Sequence, residues 1–248
     1  MIILNLGCGL KTSPDPSVLN IDYSILLKIR TNWLFRTVAP LFLDDDRLTR
    51  LRSLPDNVML HDLSKGIPFG DESADVVYHS HLIEHLDRNI APLFLKECFR
   101  VLKPGGIMRI VAPDLEIICR KYMANLELCE KGVREALDRH DDFFEELFLQ
   151  SVQREAFGAG MQKPLRRFIE NLFLGDARKR GQTHQWMYDR FNLEALLYGI
   201  GFGRVAVQSF DTSFVPEWNT LELDRDEHGA EYKPESLYIE AVKKEIRA

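Results

Sequence analysis

The sequence predicts an α/β fold, a doubly wound and mainly parallel sheet of seven strands in one domain spanning residues 1–248. Three observations carry that prediction. Short aliphatic and β-branched runs alternate with stretches whose apolar residues recur at helical spacing, the pattern of strand-helix-strand units covered on both faces. Glycine and proline punctuate the alternation, above all at Gly7-Cys8-Gly9 and Pro104-Gly105-Gly106. A chain of 248 residues with 45% apolar and 28% charged residues is also long enough to bury one large core.

In order, the strands are expected at Ile2–Leu6, Val18–Ile21, Val58–Leu60, Ala74–His79, Ile107–Ala112, Arg204–Ser209 and Ser236–Val242. Between the fourth and fifth, Leu93, Phe94, Cys98, Val101 and Leu102 lie on one face of a helix over Ile90–Leu102, and Pro104-Gly105-Gly106 ends it with a tight turn. Asn192 is a suitable cap for a helix running to Gly201. Two connections exceed what a compact unit needs. Residues 23–57 combine aromatic side chains with Asp44-Asp45-Asp46, and residues 115–180 read as several helices, acidic from Glu135 to Glu146 and basic from Lys163 to Arg180. Insertions of this length usually serve a function, the first as a lid and the second on the substrate side.

Charge and composition exclude several classes. A net charge of −6 offers no general attraction to phosphate backbones, so nucleic acid is not an expected partner. Cys8, Cys98, Cys119 and Cys129 form no CxxC pair and no finger spacing, so they read as reduced thiols. With no secretory leader and no uninterrupted apolar run long enough to span a bilayer, a cytoplasmic protein is expected. Residues 25–43 are apolar but broken by Lys28, Arg30, Arg36 and Pro40. They are candidates for peripheral contact with an anionic membrane, and burial against the sheet or in a homodimer is the favoured use.

Three motifs carry chemistry. Leu4-Asn5-Leu6-Gly7-Cys8-Gly9 is a strand ending in a G-x-G turn, where the backbone bends sharply and a ligand can approach without meeting a Cβ. Asp22 ends the next strand, where a carboxylate beside the glycine turn can accept both hydroxyls of a ribose. Asp62 follows the third strand and can accept from an exocyclic amine while Leu63 packs on a purine ring. Each has a plainer use as turn, cap or solvated loop; together they are more informative than apart.

With Leu95-Lys-Glu-Cys-Phe-Arg-Val-Leu-Lys-Pro-Gly-Gly106, the loop Asp62-Leu-Ser-Lys-Gly-Ile-Pro-Phe69, the stretch His81-Leu-Ile-Glu-His85 and the later His184-Gln-Trp-Met-Tyr-Asp189, the sequence resembles the class I S-adenosylmethionine (SAM)-dependent methyltransferases. The likeness is to type 11-like bacterial members acting on glycans and small molecules, and it extends over nearly the whole chain. It implies a Rossmann-like sheet with one antiparallel strand near the edge and SAM as cofactor. By that resemblance Gly7, Cys8 and Gly9 pass under the methionine part of SAM, Asp22 holds the ribose, and Asp62 with Leu63 holds the adenine. His79 and Ser80 line the floor near the sulfonium, while His81, Trp186 and Tyr188 meet the acceptor. The sequence departs from the family loop at Lys11, where a glycine is expected. The short connection from Gly9 to Asp22 reduces the usual first helix to a loop, and the lid must come from residues 23–57 or from the later helical insertion.

The expected reaction is O-methylation of a sugar, glycan or related small metabolite. A leaving hydroxyl proton makes a base useful, and His184, with Asp189 nearby in sequence, is the candidate; the plainer use of the pair is to anchor the insertion. Two rivals remain: a SAM-binding module without catalysis, and a zinc peptidase, since H-x-x-E-H places two imidazoles one helical turn apart. A metal on His81, Glu84 and His85 is a further option, but ordinary packing is the default and no metal is assigned. The basic group Lys163, Arg166, Arg167, Arg178, Lys179 and Arg180 fits a phosphate or a solvated helix face.

Overall fold

The computed structural model describes residues 1–53, 56–150 and 183–244. Its seven strands are β1 (Ile3–Leu6), β2 (Val18–Asp22), β3 (Val58–Leu60), β4 (Ala74–Ser80), β5 (Leu102–Pro113), β6 (Phe202–Gln208) and β7 (Ser236–Lys243). They form one sheet in the order β3-β2-β1-β4-β5-β7-β6. Strands β1 to β5 pair in parallel, and β7 runs antiparallel between β5 and β6. The register sets Leu6 beside Ile21 and Asp22 beside Leu60, so the carboxyl ends of β1, β2 and β3 line one edge.

Alternation in β1 sorts the core into two layers. Leu4 and Leu6 face a cluster completed by Ala91, Phe94, Leu95, Cys98 and Val101 of α4 (Ala91–Val101) and by Leu193 and Leu197 of α8 (Arg190–Ile200). Ile3 faces the opposite side with Val76, Tyr78 and Val111, where Val215, Trp218, Leu221 and Leu223 cover the sheet. That second cover comes from the connection between β6 and β7, irregular but for one short 3-10 turn at Trp218–Leu221, rather than from packed α-helices.

The loop from Gly9 to Ser17 contains no helix, as its length requires. Asparagines pin it: the buried Asn5 amide donates to Asn20 Oδ1 at 2.9 Å and to the Lys11 carbonyl at 3.0 Å, and buried Asn20 and exposed Asn57 donate to the Ser13 carbonyl. The bonds to Lys11 and Ser13 satisfy backbone oxygens that a helix would otherwise have used.

Residues 23–57 contain α1 (Ile25–Thr31), α2 (Trp33–Phe42) and α3 (Asp45–Arg52), capped by Ser24, Asn32 and Asp44. The acidic run at 44–46 is thus a helix start, where carboxylates complement the N-terminal dipole. Trp33 is 74% exposed, with Leu34 and Phe35 about half exposed. Of the two uses expected from the sequence, burial against the sheet or in a homodimer, the first does not occur for this part of α2. Among the described residues no helix is long and apolar enough to cross a membrane. The second insertion holds α5 (Leu115–Glu130), α6 (Arg134–Asp138) and α7 (His140–Gln150). The basic group from Lys163 to Arg180 lies outside the described residues.

Two local expectations are corrected. The cap of α8 is Asp189, whose carboxylate accepts from the Asn192 N–H at 2.8 Å while the Asn192 side chain accepts from the Asp189 N–H at 3.1 Å. A capping box therefore starts the helix three residues before the expected cap. Pro104-Gly105-Gly106 lies inside β5 rather than in a turn before it: pairing with β4 jumps from Ala74–Leu102 to Val76–Ile107, so the extra residues bulge. Gly105 takes φ +78°, and a Cβ on Gly106 would stand 2.8 Å from the Lys103 carbonyl oxygen.

Candidate active site

The bend after β1 opens the site. Gly7 and Gly9 take φ of +63° and +54°, values that glycine adopts without steric cost. A Cβ on Gly7 would sit 3.0 Å from Leu82 Cδ1, whereas a Cβ on Gly9 would find no atom within 4 Å. The first glycine permits close packing and the second borders open space. Between them Cys8 is buried, its N–H donating to the Ile21 carbonyl at 3.1 Å. Burial and the neighbouring Asp22 carboxylate push its thiol up to about 12, so it stays protonated and is no nucleophile.

Asp22 ends β2, and its partial burial raises its carboxyl above the usual range. On the adjacent strand the His61 N–H donates to the Asp22 carbonyl at 3.1 Å, which brings Asp62 onto the same edge. Asp62 accepts from the Ser64 hydroxyl at 2.7 Å and N–H at 3.1 Å, and these bonds hold its carboxyl low. Leu63 packs on the core. Lys28 of α1 lies near enough to Asp62 to favour its ionised form, with its ammonium 3.6 Å from the centre of the Tyr23 ring. The glycine bend, Asp22 and Asp62 thus follow three adjacent strands on one edge of the sheet.

At the end of β4 the picture differs from expectation. His79 has no exposed surface, packs 5.4 Å from the Phe94 ring, and leaves both ring nitrogens without protein partners. Sealed on the α4 side, it has no surface to offer a ligand as the sequence reading expected, whereas Ser80 is partly exposed. Burial depresses the His79 imidazolium to about 3. A histidine held neutral stabilises the fold above its unfolded value of about 6.5, and that contribution is lost as pH falls toward 3. His79→Leu is therefore expected to match or exceed the wild-type Tm at pH 7, because it removes two unsatisfied buried nitrogens, and to flatten the loss of stability between pH 6 and about 4. Thermal unfolding across that range checks it. A Tm several degrees lower would show that the ring has a partner.

Beyond β4 the chain turns through His81 at φ +49°, a conformation rare outside glycine, and only Ile83–His85 form a single 3-10 turn. His81 and His85 therefore do not occupy successive turns of one α-helix, and the peptidase arrangement is not formed. His81 Nε2 pairs with Ser236 Oγ at 2.9 Å, and its Nδ1 stands 3.3 Å from Glu84 Oε1. Glu84 is 2% exposed and receives no hydrogen bond on either carboxylate oxygen. Burial pushes its carboxyl up to about 8.

The segment from Thr183 closes over this turn. The N–H groups of Gln185 and Trp186 both donate to the Glu84 carbonyl, at 2.6 and 3.3 Å. His184 meets the His85 ring edge-on at 4.9 Å. The Leu115 N–H donates to the Tyr188 carbonyl, which ties the segment to the start of α5. A small cleft results, lined by Glu84, His184, Trp186, Met187 and Tyr188 with Pro113, Leu115 and Ile118. His184, Trp186 and Tyr188 are thus brought together, whereas His81 reaches the group through Glu84. Asp189 caps α8, and the carboxylate that gathers with His184 is that of Glu84. Glu84 is the site residue whose chemical state the sequence conceals, since only its burial makes it unusual. Pro113-Asp114, directly before α5, was the available signal for the cleft's far wall.

The sheet order and the antiparallel β7 give a Rossmann-like sheet, the arrangement that class I SAM-dependent methyltransferases share. The sequence agrees over part of its length: residues 43–110, from the end of α2 through most of β5, match the methyltransferase domain family. A 48-residue stretch is 44% identical to a probable S-adenosylmethionine-dependent methyltransferase of Mycolicibacterium smegmatis, covering 19% of this chain and 18% of that protein. Similar solved structures include a SAM-dependent methyltransferase from Methanosarcina mazei (17% identity, TM-score 0.43, 98% of this chain and 92% of that one). Another is from Archaeoglobus fulgidus (16% identity, TM-score 0.42, 97% and 85%). The cofactor of this class is SAM, and the residues present fit it, since the φ and free space at Gly9 leave room for a ligand against the backbone beside Asp22.

Proposed function

We propose that the protein transfers a methyl group from SAM to a hydroxyl oxygen of a sugar, glycan or related small metabolite. The observation that carries this reading is that Gly7–Gly9, Asp22 and Asp62 follow three adjacent strands on one edge of the sheet, while the cleft at Glu84 and His184 lies beyond the end of β4, the next strand. When bound, SAM supplies an electrophilic methyl on a sulfonium. The chain's own work is alignment: Gly7, Cys8 and Gly9 present bare backbone, Asp22 accepts from ribose hydroxyls, and Asp62 with Leu63 reads the adenine. Ser80, at the end of β4, is the candidate to line the floor near the sulfonium. In the cleft Trp186 and Tyr188 orient the acceptor, and His184 is the candidate to take its proton. Positioning of this kind supplies on the order of 7–11 kcal/mol. Tyr188 is no rival base, because burial and Glu84 push its hydroxyl up to about 12.

Calorimetry should show SAM and its demethylated product binding in the micromolar range, and a panel of sugar nucleotides and lipid-linked glycans should include an acceptor that turns over. Binding without transfer to any of them would favour a SAM-binding interaction module. No binding of either nucleoside would overturn the reading altogether.

A further inference from the structure

We propose that Glu84, His85 and His184 form a binding site for one divalent first-row transition cation of the zinc type, with an open coordination position toward the cleft. One ligand atom from each residue lies within 4.8 Å of the other two. Two imidazoles and one carboxylate are the donor set of many catalytic zinc sites, which leave the fourth position to water or substrate.

Two further observations point to a cation. The first is Glu84 itself: a carboxylate 2% exposed whose oxygens receive no hydrogen bond, although His81 Nδ1 and His85 Nε2 stand 3.3 and 3.9 Å from Oε1. Buried carboxylates are normally paired, hydrogen-bonded or bound to a metal. The second is the orientation of His85. Its Nδ1 lies 3.2 Å from the Thr183 carbonyl oxygen, which can only accept. The proton is therefore on Nδ1, and Nε2 turns a lone pair toward Glu84, the way outer hydrogen bonds prepare metal-ligating histidines.

Donors sharing a cation at about 2.1 Å lie roughly 3.0–3.5 Å apart, so a pair separated by 4.8 Å must close by roughly 1.3–1.8 Å. That closure is assigned to the partly exposed His184 ring, while buried Glu84 and the His85 ring, held by Thr183, keep their orientations. Glu84 and His184 also line the cleft. A cation there would bind the acceptor oxygen and acidify its hydroxyl. That last role rests on the proposed methyl transfer and would make His184 a ligand in place of a base; the metal site itself does not depend on it.

The test uses the full chain, stripped with chelator, dialysed and titrated with Zn²⁺ and Co²⁺ separately. The expected result is one equivalent of either metal and visible Co²⁺ d–d bands without a thiolate charge-transfer band. Glu84→Gln and His184→Ala should each weaken binding by about a hundredfold or more, while His140→Ala, beside Cys129 on α7, should leave it unchanged. His184 is partly exposed, so its variant remains informative if the Glu84 variant does not fold. Absence of saturable uptake, uptake that survives His184→Ala, or a thiolate band would overturn the proposal. SAM binding measured on the same samples separates the two ideas: loss of metal with SAM bound sinks this inference alone, and the reverse sinks only the methyl-transfer reading.

Discussion

Asp224→Ala is expected to destabilise the fold by about 3–5 kcal/mol, the usual consequence of breaking a buried ion pair by removing one partner. Arg109, in the middle of β5, has no exposed surface. Its guanidinium donates to Asp224 Oδ2, Glu240 Oε1 and the Thr212 and Ser209 carbonyls, all at 2.8–2.9 Å. Asp224 also accepts from the Tyr78 hydroxyl and the Trp218 indole N–H, both at 2.7 Å. Removing it strands three buried donors at once, and it releases the segment whose Trp218 packs 5.1 Å from the Tyr78 ring. Asp224→Asn keeps an acceptor and should cost less than half as much. Urea unfolding measures both. A loss below about 1 kcal/mol for the alanine variant would mean that the network is dispensable, since an ordinary exposed ion pair is worth no more than that.

This network shows where sequence reading ends. The seven strands were legible because each is a short apolar run with a clear period, and the bends at Gly7 and Gly9 because glycine is required at positive φ. Arg109 in Met108-Arg109-Ile110 reads only as a polar interruption. Its acidic partners lie 115 and 131 residues away, so neither local period nor spacing reveals that one sheet face is covered by an irregular segment pinned to this charge. Residues 81–85 fail for a different reason. Their spacing fits a helix, but the hydrogen bonds of His81 to Ser236 and of its N–H to Val111 hold the backbone at positive φ, so tertiary contacts override local pattern. The candidate site divides along the same line. The glycines and the two strand-end carboxylates were legible from position alone, whereas the buried Glu84 and the sealed His79 depend on burial that a single sequence does not display.

Gly9→Asn is expected to weaken SAM binding by at least about a hundredfold, or about 2.7 kcal/mol, while changing fold stability by no more than about 1 kcal/mol. Asparagine tolerates the left-handed backbone of this position better than other side chains do, and among the described residues no atom beyond its chain neighbours lies within 4 Å of the place its Cβ would take. Its cost must then fall on whatever occupies that space. Gly7 provides the contrast within the same bend. There a Cβ meets Leu82 at 3.0 Å, and Leu82 packs against the core, so Gly7→Ala should lower Tm whether or not SAM is present. Calorimetry with SAM beside thermal unfolding of both variants distinguishes a cradle from a mere turn. If Gly9→Asn binds SAM as tightly as wild type, the space beside the bend is not where the nucleoside lies, and the roles given to Asp22 and Asp62 fall with it, because the shared edge is what links them to the glycines.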